Sequence, residues 1–143
     1  MWLWDSNILR YYLGEKHPIL HLHLTKISRD EIALPSVVVA EVLRGRCDFA
    51  LKALPSQAPM AHQQLVQTQK LLSQFNVVVF DDKCAEILET LQQKHKAHKR
   101  YPDMMIAAMA KAGNHIVVTR DVKHFEPLLP KNQIANWIDD KPN

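Results

Sequence analysis

Glycine is scarce in this chain. With only Gly14, Gly45 and Gly113 in 143 residues, no glycine-rich loop can cradle a phosphate with backbone N–H groups, and P-loop and dinucleotide-binding classes are excluded. Cysteine is scarcer still. Cys47 and Cys84 stand apart with no Cys-x-x-Cys spacing, which argues against a disulfide framework and a zinc knuckle and suits a reducing cytosol. Neither has the basic-plus-histidine neighbourhood of an activated thiol nucleophile. No apolar run approaches the roughly 20 residues that span a bilayer. The N-terminus also lacks the basic segment and long apolar core of a secretory leader. The expectation is a soluble, cytoplasmic protein without a membrane partner. A strong charge of one sign is missing too: 18 Lys and Arg against 15 Asp and Glu leave +3. That mild excess permits a nucleic-acid partner without requiring one.

What is present is enough apolar sequence, 47% of the residues, for one substantial core, so residues 1–143 read as a single domain. Residues 2–5 form a first strand that passes at once into a helix carrying Ile8, Leu9, Tyr12 and Leu13, with Asp5 or Ser6 as its cap and Gly14 as its end. Pro18 opens a second helix through Ile27. Residues 31–36 form a second strand stopped by Pro35, with Ser36 placed to cap a helix that Gly45 closes. Arg46 to Pro59 reads as a short helix and a surface connection. Residues 61–75 are an amphipathic helix ended by Asn76. Val77 to Phe80 has the β-branched character of a buried third strand, and Asp81 or Asp82 caps the helix after it. Pro102 opens a helix apolar nearly all round, which Gly113 ends. His115 to Thr119 is a fourth strand and Ile134 to Ile138 a short fifth. Strand alternating with helix predicts a three-layer α/β/α sandwich around a mostly parallel, twisted sheet.

Four acids stand where that fold gathers side chains. In a parallel sheet the carboxyl ends of the strands line the ligand crevice. Asp5 and Asp121 follow strands, while Glu41 and Asp103 lie in helices that begin near the same edge. Each has an ordinary explanation taken alone. Asp5 and Asp121 can cap helices, and Asp103 behind Pro102 suits a helix N-terminus. Glu41, three and four residues after Val38 and Val37, extends an apolar face and needs a cation, whether Arg44 on the next turn, another basic side chain or a metal. Together the four are harder to explain, because clustered carboxylates repel unless cations neutralise them. Hard oxygen ligands suit Mg²⁺ or Mn²⁺, and the reading is a metal centre that hydrolyses phosphodiesters.

These motifs resemble the PIN-domain family, and within it the VapC-type ribonuclease toxins of toxin–antitoxin pairs. The resemblance runs in order through Asp5-Ser-Asn7, Ser36 to Gly45 with Glu41, Asp103 to Ala108, and Thr119-Arg-Asp121 followed by Phe125 and Trp137. It implies a metal-dependent endoribonuclease that hydrolyses RNA with a metal-activated water. Asp5, Glu41, Asp103 and Asp121 would be the metal-binding catalytic acids, with Asp5 and Asp103 the leading ligands. Asn7 and Thr119 would orient them. It also implies a homodimer and a cognate antitoxin. This chain departs from the pattern where many relatives carry Asn at Asp121, an acid at His124, and a glycine before the Asp103 motif.

The run His95 to Arg100, with Lys96, Lys99 and Arg100, can contact RNA phosphates or be a solvated helix end. His17, His21 and His23 read as surface histidines, because no cysteine or acid stands beside them at zinc-like spacing. Two rival readings remain. One is an inactive PIN-like module that binds RNA or protein. The other is a phosphatase using Asp5 as nucleophile, weakened because Asn7 stands where a second acid is expected.

Overall fold

The computed structural model describes residues 1–143. Five short strands, β1 (Trp2–Trp4), β2 (Ile32–Pro35), β3 (Asn76–Val78), β4 (Ile116–Val118) and β5 (Ile134–Ala135), form one sheet in the order β3-β2-β1-β4-β5. Every pairing is parallel, with Trp2 opposite both Ile32 and Ile116. The helices α1 (Ser6–Leu13), α2 (Pro18–Lys26), α3 (Ser36–Lys52), α4 (Ala58–Leu72), α5 (Asp82–Lys94), α6 (Tyr101–Gly113) and α7 (Val122–Phe125) flank it. The chain winds outward from β1 through β2 to β3, then crosses back to β4 on the other side of β1. Right-handed crossovers running in opposite directions lie on opposite faces. The expected α/β/α sandwich is therefore the observed architecture.

One core unites the layers. Leu3, Ala33, Leu34, Val117 and Val118 are fully enclosed, as are Ile8, Val38, Ile106 and Phe125 from the flanking helices. α6 is apolar nearly all round, as its sequence requires, burying Met104 and every residue from Ile106 to Ala110. At one end Trp4 meets Tyr12, Phe75 and Trp137 with ring centroids 5.3, 5.6 and 6.3 Å away.

Several local expectations are corrected. Gly45 does not end its helix, since α3 runs on to Lys52; a lone glycine costs a helix only about 1 kcal/mol. Its position faces open space. Ser36 caps nothing: Pro35 holds the cap position, and the Ser36 hydroxyl accepts instead from the Phe80 backbone N–H at 3.2 Å. The amphipathic helix α4 ends at Leu72, and Asn76, far from ending it, opens β3. β3 is an edge strand rather than a buried one, leaving Val77 exposed, as is Val79 just past it. Gly113 is the last residue of α6, but the left-handed cap is Asn114 at φ 52°, a residue type whose short polar side chain tolerates that region.

Candidate active site

The strand order reverses between β1 and β4, and in open α/β sheets ligands bind at such a switch point, beyond the carboxyl ends of the strands. Asp5 stands there, one residue past β1. It is also the N-cap of α1, its Oδ1 accepting from the Ser6 N–H at 2.8 Å. Thr119 lies one residue past the neighbouring β4, wholly buried, and donates its hydroxyl to Asp5 Oδ2 at 2.9 Å. The same Thr119 oxygen accepts from the Asp121 backbone N–H at 3.0 Å.

Asn7 ties the group together. Its Nδ2 lies 3.3 Å from Asp5 Oδ2, 3.3 Å from Thr119 Oγ1 and 3.1 Å from Asp121 Oδ2. Its Oδ1 accepts from the Arg120 N–H at 3.2 Å. A short amide in the first turn of α1 thus fixes the spacing of two carboxylates and the backbone between β4 and α7. Polar groups this deeply placed are stable only when so partnered.

The other two acids arrive on helices. α3 starts where β2 ends, and α6 runs back antiparallel to the strand it precedes, so both begin at the carboxyl edge of the sheet. Asp103 lies in the first turn of α6, half-buried, and its Oδ2 is enclosed without a hydrogen-bond partner. His124 stands beside it, its Nδ1 3.6 Å from Asp103 Oδ2 and 3.9 Å from Asp121 Oδ2. Glu41 differs from expectation in one respect. It is exposed rather than enclosed and makes no ion pair with Arg44; the charges it feels are those of Asp5, Asp103 and Arg10.

The electrostatics show mutual interference. Burial pushes the Asp5 carboxyl above its ordinary value, the bonds from Thr119 and Ser6 oppose that, and the charge of Asp121 adds to it. Neighbouring atoms that desolvate its carboxyl raise Glu41 even though the residue is exposed, and repulsion from Asp5 and Asp103 raises it further. Asp103 is raised by burial and by Asp5, with His124, Arg100 and His98 pulling the other way. Three crowded carboxyls held above their ordinary values, one with an orphaned oxygen, constitute an unmet demand for positive charge. A hard divalent cation fits that demand. As placed, no three His, Cys, Asp or Glu side chains close around a single point. An ion would draw the carboxylates inward or reach them through water, as Mg²⁺, which keeps several waters, commonly does.

Sequence reasoning missed the cations beside this centre. A cleft lined by Asn7, Arg10, Tyr11, Arg120 and Asp121 opens from it. The signal was available, since Arg10 follows Asn7 by three helical positions and Arg120 stands between Thr119 and Asp121. Of the run that holds Lys96, Lys99 and Arg100, the charge of Arg100 acts on Asp103, and His98 Nε2 is 3.2 Å from the His124 carbonyl oxygen.

A parallel α/β sandwich with acids near its switch point defines a class, and the PIN-domain family model matches residues 3–126. The chain belongs to the PIN-domain family. Its relatives include Ribonuclease VapC2 of Rickettsia felis, 27% identical over 143 residues, covering 96% of this chain and 98% of that protein. Among solved structures, FitAcB from Neisseria gonorrhoeae superposes with a TM-score of 0.75 at 25% identity, covering 98% of this chain and 100% of that one. A toxin-antitoxin complex from Klebsiella pneumoniae superposes with a TM-score of 0.68 at 22% identity, over 96% of this chain and 98% of that one; at that identity the likeness is one of fold. No helix is long and apolar enough to cross a membrane.

Proposed function

We propose that the chain is a single-domain, divalent-metal-dependent endoribonuclease, the toxin of a toxin–antitoxin pair, hydrolysing RNA phosphodiester bonds in the cytoplasm. The observation that most supports this reading is that Asp5, Glu41, Asp103 and Asp121 lie near enough to the switch point for their charges to act on one another, with Asp103 Oδ2 buried and unpartnered. The relative named Ribonuclease VapC2 supports the ribonuclease class. The solved toxin-antitoxin complex of the same fold supports a protein antitoxin as partner. A homodimer follows from the family resemblance.

Asp5 and Asp103 would hold Mg²⁺ or Mn²⁺, with Glu41 and Asp121 completing the site directly or through water. Such an ion, when bound, supplies Lewis acidity toward water and phosphate. The chain's own contribution is placement. Thr119 and the Ser6 N–H leave Asp5 one orientation, and Asn7 bridges Asp5 and Asp121 by donating to both. Surrounding hydrogen bonds of this kind orient a ligand before an ion arrives.

The test is cleavage of a single-stranded RNA by the purified chain with Mn²⁺ or Mg²⁺ and with EDTA. Cleavage should need the divalent ion and be lost in Asp5→Asn and Asp103→Asn. RNA binding with no cleavage under any of these conditions would leave an inactive binding module and overturn the reading.

A further inference from the structure

An acidic centre repels the phosphates it is meant to cut, so a polyanionic strand must be held by cations close to the acids yet outside their own hydrogen bonds. Two arginines meet that requirement. The cleft lined by Asn7, Arg10, Tyr11, Arg120 and Asp121 shares Asn7 and Asp121 with the acid cluster, so a group lodged in it abuts the carboxylates. Arg10 is exposed and makes no ion pair, while its charge acts on both Asp5 and Glu41.

Arg120 is held in place. Its Nε lies 3.3 Å from Asp139 Oδ2 and its Nη2 3.5 Å from Asp139 Oδ1. Nη1 donates to the Tyr11 hydroxyl, and the guanidinium carbon sits 5.5 Å from the Tyr11 ring centroid. Asp139 is itself fixed by Asn136 Nδ2 at 2.9 Å. The Arg120 backbone N–H is the group bound by Asn7, so the arginine's root is tied to the acid cluster as well. These bonds leave guanidinium N–H groups unused. A fork already oriented loses less freedom when it grips a phosphate.

We propose that Arg10 and Arg120 form a phosphate clamp that seats the backbone of a single RNA strand on the Asn7 and Asp121 side of the acids, with Tyr11 and Asp139 positioning Arg120. The clamp rests on the ribonuclease reading and assigns the strand's entry to a different rim from the Lys96, Lys99 and Arg100 run.

The experiment measures binding of a fluorescent single-stranded RNA to the full chain in EDTA, where cleavage is silent, across a salt series. Arg10→Gln and Arg120→Gln should each weaken binding. Each should also lower the slope of log affinity against log salt by about 0.7, the counterion release of one phosphate contact on a single strand. Arg120→Lys should keep the slope, because the charge stays, yet bind more weakly and raise KM in the Mn²⁺ assay, because the fork is lost. If melts show that Arg120→Gln unfolds by losing Asp139, Arg10→Gln decides alone, since Arg10 anchors nothing. A parent that neither binds nor cleaves RNA would overturn the ribonuclease reading and the clamp with it. A parent that binds RNA while both glutamine variants keep its affinity and slope would overturn the clamp only.

Discussion

Replacing Thr119 with valine removes one hydroxyl from a fully buried site and changes little else in shape, so its effect can be worked out from the bonds that vanish. The hydroxyl donates to the Asp5 carboxylate at 2.9 Å and accepts from the Asp121 backbone N–H at 3.0 Å. A hydrogen bond to a charged group contributes about 1.5–3 kcal/mol, and a part-buried donor left without a partner costs about 1–3 kcal/mol. With Asn7 Nδ2 remaining 3.3 Å from Asp5 Oδ2 as partial compensation, the expected loss is about 2–4 kcal/mol. For a chain of this size that is roughly a 6–12 °C fall in Tm. The pH dependence is the sharper signature. Asp5 is already raised by burial, and the Thr119 bond is the largest influence lowering it, so its removal raises Asp5 further. A raised acid gives stability that is complete below its unfolded pKa and lost as pH rises through the folded one. Thr119→Val should therefore lie closest to the parent at low pH, where Asp5 is neutral in both, and fall increasingly behind as pH rises through the raised pKa that Asp5 has in the folded parent. Denaturant melts in EDTA across that range measure it, with Thr119→Ser, which keeps the hydroxyl, as control. A difference under about 0.5 kcal/mol, the noise level of neutral surface changes, or one independent of pH, would refute the reasoning.

Asp103→Asn should stabilise the metal-free protein, since it removes a half-buried charge repelled by Asp5; the gain should be absent at low pH and appear as pH rises, read by melts in EDTA. In the parent, Mn²⁺ at a hundred times its Kd should add about 2.7 kcal/mol of stability, and Asp103→Asn should lose that increment. Glu41→Gln should weaken Mn²⁺ binding in a calorimetric titration while Arg44→Ala leaves it unchanged, because the charges acting on Glu41 come from Asp5, Asp103 and Arg10 and not from Arg44; equal loss in both variants would restore the structural pair. Gly45→Ala should raise stability by about 0.5–1 kcal/mol in thermal melts, because Gly45 sits inside α3 with open space where the methyl would go.

The architecture was legible because its signals are redundant. Every helix start read at a proline or acid has its counterpart in the structure, from Asp5 and Pro18 to Asp81 and Pro102. Helix ends and strand burial were less legible. Gly45 carries the chemistry of a terminator, but contacts between α3 and its neighbours outweigh one residue's propensity. Val77 to Phe80 has a core strand's composition, yet strand order is a long-range property that no local window contains, and β3 falls at the edge. The places of Asp5 and Asp121 just past β1 and β4, and of Asp103 in a first helical turn, were readable from the strand ends and Pro102. Glu41's exposure was not, because Val37 and Val38 fix the helix face while the depth of the cleft depends on α6. Arg10 and Arg120 were overlooked because scattered arginines look alike in sequence; only the fold brings residues 10 and 120 to one cleft.

The adjacency of β1 and β4 also sets a schedule. Asp5 and its hydroxyl donor are 114 positions apart, and contacts of such separation form late and slowly. Chains are synthesised and fold from the N-terminus, so β1, β2 and β3 emerge and can pair while β4 is still unmade. During that interval Asp5 has no Thr119, Asn7 has no Asp121, and the cleft has no Arg120. The centre is thus assembled only when most of the chain has been made, and an unfinished copy carries its first acid without the partners that aim it. Synthesis itself acts as a timer on whatever chemistry the four acids perform.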